Sequence, residues 1–245
     1  MKHLSFLSTA ASLALLTANA TAGTRPFVWS YEAETAPKGY FSYEQWATWK
    51  SYDTKDVFQF RHEFEWGVTD NLQLGFYVPN WELSDASGDW DAEFGSVGVE
   101  AIYSLLNPTT DPLGVALYGE IMVGDDLLEL EGKLLLQKNV GSWKFVYNAV
   151  VESEWEDSFE EVTGEWKNTF GVDYEFSPSF AVGVEAFHEV KFEDWSEAED
   201  HQFYAGPKVS LRKGNFFATI SPLVQLTNVD GKADFQTRMI CGFHW

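Results

Sequence analysis

The chain has 245 residues, of which 45% are hydrophobic, so it can form one moderate domain or one β-barrel. Its formal net charge of −22 argues against nucleic acid as a partner and favours cations. Aromatic residues make up 17% of the chain, which is typical of the interfacial girdles of a membrane barrel, although an aromatic-rich carbohydrate-binding β-sandwich is the alternative.

The first 22 residues have the pattern of a secretory signal peptide. Lys2 precedes an apolar run from Leu4 to Leu16, and small residues at Ala18–Ala20 or Ala20–Ala22 form the expected cleavage site. The apolar run is too short for a transmembrane helix, and no long uncharged apolar segment follows it. We therefore predict an exported protein that does not span a membrane with helices.

Residues 23–38 are predicted to form a periplasmic arm without clear periodicity, and residues 39–245 to form a barrel. From Gly39 onward, segments of about ten alternating residues are separated by turns, as in transmembrane barrels. Twelve strands are predicted, at Gly39–Trp49, Val57–Gly67, Leu72–Glu82, Phe94–Leu105, Leu113–Val123, Leu127–Lys138, Trp143–Glu154, Gly164–Phe176, Phe180–Phe192, His201–Leu211, Phe216–Leu226 and Phe235–Trp245.

The connections between these strands fall into two alternating sets. One set consists of short turns, such as Val68–Asn71 and Ser177–Ser179. The other is mostly longer and acidic, as at Ser84–Glu93 and Glu193–Asp200. An antiparallel up-and-down barrel sorts its connections in this way because tight turns gather at one end and loops at the other.

The last strand ends the chain on aromatic residues. Its apolar side chains share one face, as a period of two requires. We expect this strand to pair with the first, and Phe243 and Trp245 to serve as an assembly signal for the barrel-assembly machinery. The single Cys241 cannot form an internal disulfide and is interpreted as a small apolar residue.

Five parts of the chain carry a family resemblance: Tyr31–Thr35 with Pro37–Gly39, Tyr43–Trp46, Glu63–Asn71, Ser104–Pro108 and Lys133–Asn139. By these stretches the chain resembles Gram-negative outer-membrane β-barrels, and in particular a porin-like group of undetermined function. The resemblance implies a barrel in contact with outer-membrane lipid, with no assigned substrate and no catalytic residues.

If the apolar faces contact lipid, the charged faces point into the lumen. Carboxylates outnumber bases there, which favours a passive channel for small polar or cationic solutes. The alternative is a structural or adhesive barrel whose lumen is filled by its own side chains. The predicted pore-lining residues are Arg61, Glu63, Glu65, Glu100, Glu120, Glu129, Glu131, Lys133, Glu152, Lys167, Asp173, Glu185, Glu189, Lys191, Lys208 and Arg238.

A third hypothesis is a phospholipase-like enzyme acting from the lipid-facing surface. Asn168 and His188 both fall on the predicted outer face, opposite each other on neighbouring strands. No serine stands near them on that face, and no nucleophile elbow is present, so we predict no catalytic residues. The acidic loops at Asp85–Glu93 and Glu193–Asp200 are rich in oxygen ligands that can hold Ca²⁺ or Mg²⁺, but the spacing from Asp85 to Asp91 does not match the EF-hand loop. We therefore predict solvated charged loops, no metal site and no cofactor.

Overall fold

A computed structural model describes residues 24–85, 90–157 and 160–245. The predicted signal peptide lies outside the described residues, as do Asp89 and part of the predicted loop between the seventh and eighth predicted strands. The described strands are β1 (Phe41–Ser51), β2 (Asp56–Gly67), β3 (Leu72–Asp85), β4 (Trp90–Phe94), β5 (Val97–Leu106), β6 (Gly114–Gly124), β7 (Leu127–Val140), β8 (Trp143–Glu156), β9 (Glu161–Ser177), β10 (Phe180–Glu193), β11 (Glu197–Ala198), β12 (Gln202–Lys213), β13 (Phe216–Gln225) and β14 (Phe235–His244).

Among the described residues, twelve long strands form one closed antiparallel ring. Each pairs with the next long strand along the chain, and β14 returns to pair with β1, with Tyr43 opposite Phe243. The all-β, up-and-down barrel of twelve strands predicted from the sequence is confirmed. No helix in the described part of the chain is long and apolar enough to cross a membrane.

Two short strands are additions to the ring. β4 pairs with the far end of β3, and β11 pairs with the end of β10. The predicted fourth strand, Phe94–Leu105, is interrupted, because Gly95 and Ser96 leave the strand conformation between the end of β4 and the start of β5. Asn80 spans the break, since its backbone N–H donates to Ser96 O and its carbonyl accepts from the Gly95 N–H, both at 2.9 Å.

The apolar side chains face outward. On β2, Glu63 is 0% exposed, whereas its neighbour Phe64 is 44% exposed. A soluble sandwich requires the opposite arrangement, with carboxylates in water and aromatic rings in the core. The alternation therefore belongs to a barrel with an apolar outer surface, as predicted.

Aromatic rings on β1 mark both edges of this apolar surface. At the end with the short turns, hereafter the turn end, Phe41 stacks on Trp66 with ring centroids 5.9 Å apart. At the opposite end, the loop end, Trp49 stacks on Phe58 at 6.1 Å. Eight residues at about 3.3 Å each, tilted by about 40°, span roughly 20 Å, close to the height of a bilayer's apolar band.

Candidate functional site

The interior of the barrel contains the segment that precedes β1. Residues 24–36, hereafter the arm, lie inside the ring at the turn end, whereas Pro37 and Lys38 are exposed. The sequence indicates an arm here but not its position inside the barrel, and its periplasmic location stays a prediction. Phe27 and Ala33 are completely buried there. The physical reason is that the inward side chains at this level supply hydrogen-bond partners and apolar contacts for the arm.

Glu185 on β10 binds the backbone of the arm most extensively. Its carboxylate accepts hydrogen bonds from the N–H groups of Val28 at 3.2 Å, Trp29 at 2.8 Å and Ser30 at 3.1 Å. An ionised carboxylate is an acceptor only, so it suits a run of backbone donors that has no β-ladder partner.

Amide side chains bind the next part of the arm. Asn148 accepts from the Tyr31 N–H at 2.7 Å and donates to the Tyr31 carbonyl at 3.0 Å, as a neighbouring strand would. Gln137 accepts from the Ala33 N–H at 2.9 Å, and Gln73 accepts from Ala36 at 2.8 Å. These contacts hold the arm along the barrel wall without making it a strand of the sheet.

The carbonyl groups at the beginning of the arm have partners too. Lys208 and Ser210 both donate to the Pro26 carbonyl, and Ser210 does so at 2.9 Å. Lys208 also pairs with Asp173 at 2.8 Å. Two of the predicted inward residues, Lys208 and Asp173, therefore serve to hold the arm.

Apolar packing fills the space around these hydrogen bonds. Three arm residues, Val28, Tyr31 and Ala33, form one buried cluster with side chains from seven positions on the wall. The wall residues of this cluster are Trp46, Ile102, Ala116, Tyr118, Leu135, Phe217 and Ile240. A hydrophobic core of this kind occupies the turn-end half of the lumen.

Burial changes the titration of arm side chains. Removal from water raises the pKa of Tyr31 to about 12 despite the opposing Lys133 ammonium, so its hydroxyl stays protonated and donates to Glu100 at 3.4 Å. Burial also raises the pKa of the Glu32 carboxyl, and its ion pair with Lys144 offsets part of that effect.

The predicted pore-lining side chains lie on the inward face in two levels. Near the arm, Glu63, Glu65, Glu100, Asp173, Glu185 and Lys208 are buried, as is Glu120 a little further from the turns. The other nine members of the predicted set are partly buried. Two of them also reach the arm, since Arg238 donates to the Val28 carbonyl at 3.3 Å and the Lys133 ammonium lies 4.0 Å from the centre of the Tyr31 ring. Their role in lining a pore stays a prediction.

The level nearer the loops is a network of ion pairs. Lys167 pairs with Glu189 at 3.2 Å and also with Glu165, which Lys191 approaches to 3.8 Å. On the opposite wall Arg61 lies 3.8 Å from Glu120. Glu165 is absent from the predicted set, although it is two residues from Lys167 on β9 and therefore points to the same side of the strand.

The outer surface carries the predicted pair of polar residues. Asn168 and His188 are register partners on β9 and β10, and Asn168 Nδ2 lies 3.2 Å from His188 Nδ1. The chain of contacts extends to Tyr147, 2.7 Å from Asn168, and to His201, 2.8 Å from His188. In the described part of the chain, no serine or threonine hydroxyl is hydrogen-bonded to these four residues, so they have no adjacent nucleophile.

In the part of the acidic loops that the structure describes, three carboxylates do not come together. Within residues 24–85, 90–157 and 160–245, the groups of three carboxylates close enough to share a cation come from the strands, at Glu44, Glu63 and Glu65 and at Glu129, Glu152 and Glu154. Of the loop residues, Glu199 pairs with Lys232 at 2.6 Å. The acidic loops are consistent with solvated charged surfaces.

Comparisons with known proteins agree with this fold. Residues 19–244 match a family model described as "Family of unknown function (DUF6662)". The chain belongs to this family. A comparison with curated proteins gives no match.

Several solved structures share the fold at low sequence identity. An outer membrane channel, COG4313 from Pseudomonas putida F1, is 12% identical with a TM-score of 0.66, over 89% of this chain and 100% of that one. The NanC porin is 10% identical with a TM-score of 0.56, over 82% and 98% of the two chains. The KdgM porin, solved with disordered oligogalacturonate, is 12% identical with a TM-score of 0.50, over 83% and 98%. At such identities the likeness concerns the fold alone.

Proposed function

We propose that this protein is a passive outer-membrane channel for small polar or cationic solutes, and that its arm closes the turn end of the lumen. The observation that carries the proposal is the arrangement inside the ring. The loop-end half of the lumen, hereafter the vestibule, is lined by the carboxylates of Glu129, Glu131, Glu152, Glu154, Glu165 and Glu189. Next to it lies the arm, which is held by side-chain contacts and not by a β-ladder. Such a segment can leave without breaking the barrel.

The charge balance of the vestibule supports cation preference. Glu129, Glu131, Glu152 and Glu154 lie on adjacent strands at the loop end, and Lys133 pairs with Glu131 at 2.6 Å. Rings of carboxylates favour cations in membrane pores. The channel has no catalytic step in this proposal, since the Asn168–His188 contact lacks a nucleophile in the described chain.

Location and assembly belong to the same proposal. The apolar outer surface with its two aromatic edges suits the lipid of a Gram-negative outer membrane. Phe243 faces outward on β14 against Phe216 at 5.0 Å, and Trp245 is 65% exposed. We infer that the barrel-assembly machinery recognises these two aromatic residues.

The test is conductance in planar bilayers, with the full chain compared with a variant that lacks residues 24–36. This deletion removes the buried arm and retains Lys38 and Gly39 before β1. We expect the deletion to open a large conductance whose reversal potential in a salt gradient indicates cation preference. Anion preference in the deletion variant would contradict the proposal.

The arm-filled interior also favours a second candidate, a structural barrel whose function lies in its loops. The buried apolar cluster around Tyr31 is the observation that supports it. The full chain in the same experiment separates the two functions, because a channel should show reversible openings as its arm undocks, whereas a purely structural barrel stays closed as long as the arm is present. Heat-modified migration on a denaturing gel checks that the shortened protein is still a folded barrel.

A further inference from the structure

The wall of β1, β2, β3 and β5 beneath the arm carries a group of buried carboxylates. Oxygen atoms of Glu44, Glu63 and Glu65 all lie within 4.8 Å of one another, and all three side chains are buried. Glu44 and Glu63 are direct register partners on adjacent strands. Like charges placed directly opposite each other destabilise a sheet unless something neutralises them.

Glu100 joins this group from the other side of β3. Gly75 separates it from Glu63, because a Cβ at Gly75 would lie 2.3 Å from Glu63 Oε1 and 2.5 Å from Glu100 Cγ. Only glycine leaves room for both carboxyl groups at this position. Because Gly75 has no side chain, the Glu63 and Glu100 side chains can approach each other across β3.

Hydrogen bonds satisfy part of the group. Glu65 accepts from Ser42 at 2.6 Å and from Gln73 at 2.8 Å. Glu44 accepts from the Trp46 indole at 3.0 Å, and Glu100 accepts from Tyr77 at 2.7 Å. These partners fix the orientation of three carboxylates.

Glu63 is different, because its two buried carboxylate oxygens have no hydrogen-bond partner in the described chain. One oxygen of Glu44 and one of Glu100 share that condition. Within the described residues, the cation in contact with the group is Arg25, whose Nε lies 3.9 Å from Glu44. One guanidinium does not balance four carboxylates, and an uncompensated buried charge is costly.

We propose that Glu44, Glu63 and Glu65, with Glu100 beside them, form a buried calcium site in the barrel wall. Ca²⁺ takes six to eight oxygen ligands at about 2.3–2.6 Å, so two ligands on opposite sides of it are about 4.8 Å apart. Mg²⁺ requires shorter and more regular bonds, which fits this spread of oxygens less well. The sequence shows no metal motif here because the ligands meet only through strand register.

The calcium site does not depend on the proposed channel function, because its ligands are side chains of the barrel wall. Its binding of Ca²⁺ can be measured without measuring conductance. Terbium is the probe, because it replaces Ca²⁺ at oxygen sites and its emission is sensitised by a nearby indole. Trp46 provides that indole, since its ring N–H donates a hydrogen bond to Glu44. The full chain is refolded into detergent with the ion present, so access past the arm does not limit binding.

The comparison uses Glu63→Gln and, as the control, Glu175→Gln, because Glu175 lies outside both carboxylate groups and is paired with Arg212 at 3.0 Å. We expect saturable terbium emission that Ca²⁺ displaces, with the affinity reduced about tenfold in Glu63→Gln and unchanged in Glu175→Gln. Heat-modified migration checks folding. Glu100→Gln is the second variant, with the same expected loss, if Glu63→Gln does not form a barrel.

Three results would overturn the proposal. They are emission that Ca²⁺ does not displace, emission that is lost in Glu175→Gln as much as in Glu63→Gln, and unchanged affinity in both Glu63→Gln and Glu100→Gln. A channel that conducts normally while failing this test refutes the calcium site alone. A barrel that binds Ca²⁺ but stays non-conducting without its arm refutes the channel alone.

Discussion

Glu185 offers the sharpest perturbation of the arm. It is 1% exposed and accepts the Trp29 and Ser30 N–H groups on Oε1 and the Val28 N–H on Oε2. In Glu185→Gln, the amide oxygen can keep two of these bonds, but the amide nitrogen then faces the third donor. One buried N–H loses its partner, and the other two bonds lose their charge assistance.

The cost follows from those changes. An unsatisfied buried donor costs about 1–3 kcal/mol, and a charge-assisted bond is worth about 1.5–3 kcal/mol against about 1 kcal/mol for a neutral one. Docking of the arm should therefore weaken by about 3 kcal/mol, which is roughly a 100-fold change in its equilibrium.

Hydrogen–deuterium exchange of the peptide that contains Val28, Trp29 and Ser30 measures this directly. Exchange of these amides should become about 100-fold faster if they exchange through undocking of the arm. Glu189→Gln is the matched control, since Glu189 is on the same strand and pairs with Lys167 instead of the arm. Equal exchange in Glu185→Gln and the parent protein, or equal acceleration by the control, would refute the reasoning.

Two further predictions follow from local geometry. In Gly171→Ala the new Cβ would lie 2.5 Å from the Phe27 ring, so the arm should shift and its amides should exchange faster with deuterium. Gly119→Ala is the control, because nothing lies within 4 Å of its new Cβ, and it should leave amide exchange in the arm unchanged. Equal exchange in both variants would contradict the packing argument. Trp245→Ala should lower the yield of heat-modifiable barrel in the outer membrane, whereas Trp90→Ala, which removes another exposed Trp near the loops, should not. Loss with Trp90→Ala alone would contradict the assembly signal.

Local patterns suffice for much of this fold. The period of two on β2 predicts which side chains point outward, and the alternation of turns and loops predicts the up-and-down order. Counting from the turn at Ser177–Ser179 also predicts correctly that Asn168 lies opposite His188. These features are predictable because each depends on neighbouring strands and on a turn of known length.

The arm is not predictable in the same way. Its partners Glu185, Asn148 and Gln137 are more than 100 residues away along the chain, and no periodicity links them to it. The one available signal is the occurrence of amides at inward positions close to the turn end. An inward Asn or Gln at that level can donate and accept hydrogen bonds, which indicates that a segment of backbone lies against it inside the barrel.

The carboxylate group below the arm was missed for a related reason. Glu44, Glu63 and Glu100 come from three strands, and only the register of β1 with β2 and of β3 with β5 brings them together. The break at Gly95 and Ser96 was missed because β3 continues to Asp85, further than the sequence indicates. Long-range register decides both features, and a pattern within one strand contains little information about it.

The conductance of the protein with and without residues 24–36 tests the central claim most directly. If the arm closes the turn end of the lumen, the full chain stays at low conductance and the shortened barrel conducts cations in preference to anions. A full chain that already conducts as well as the shortened one would contradict the account, because the buried arm around Tyr31 then closes nothing.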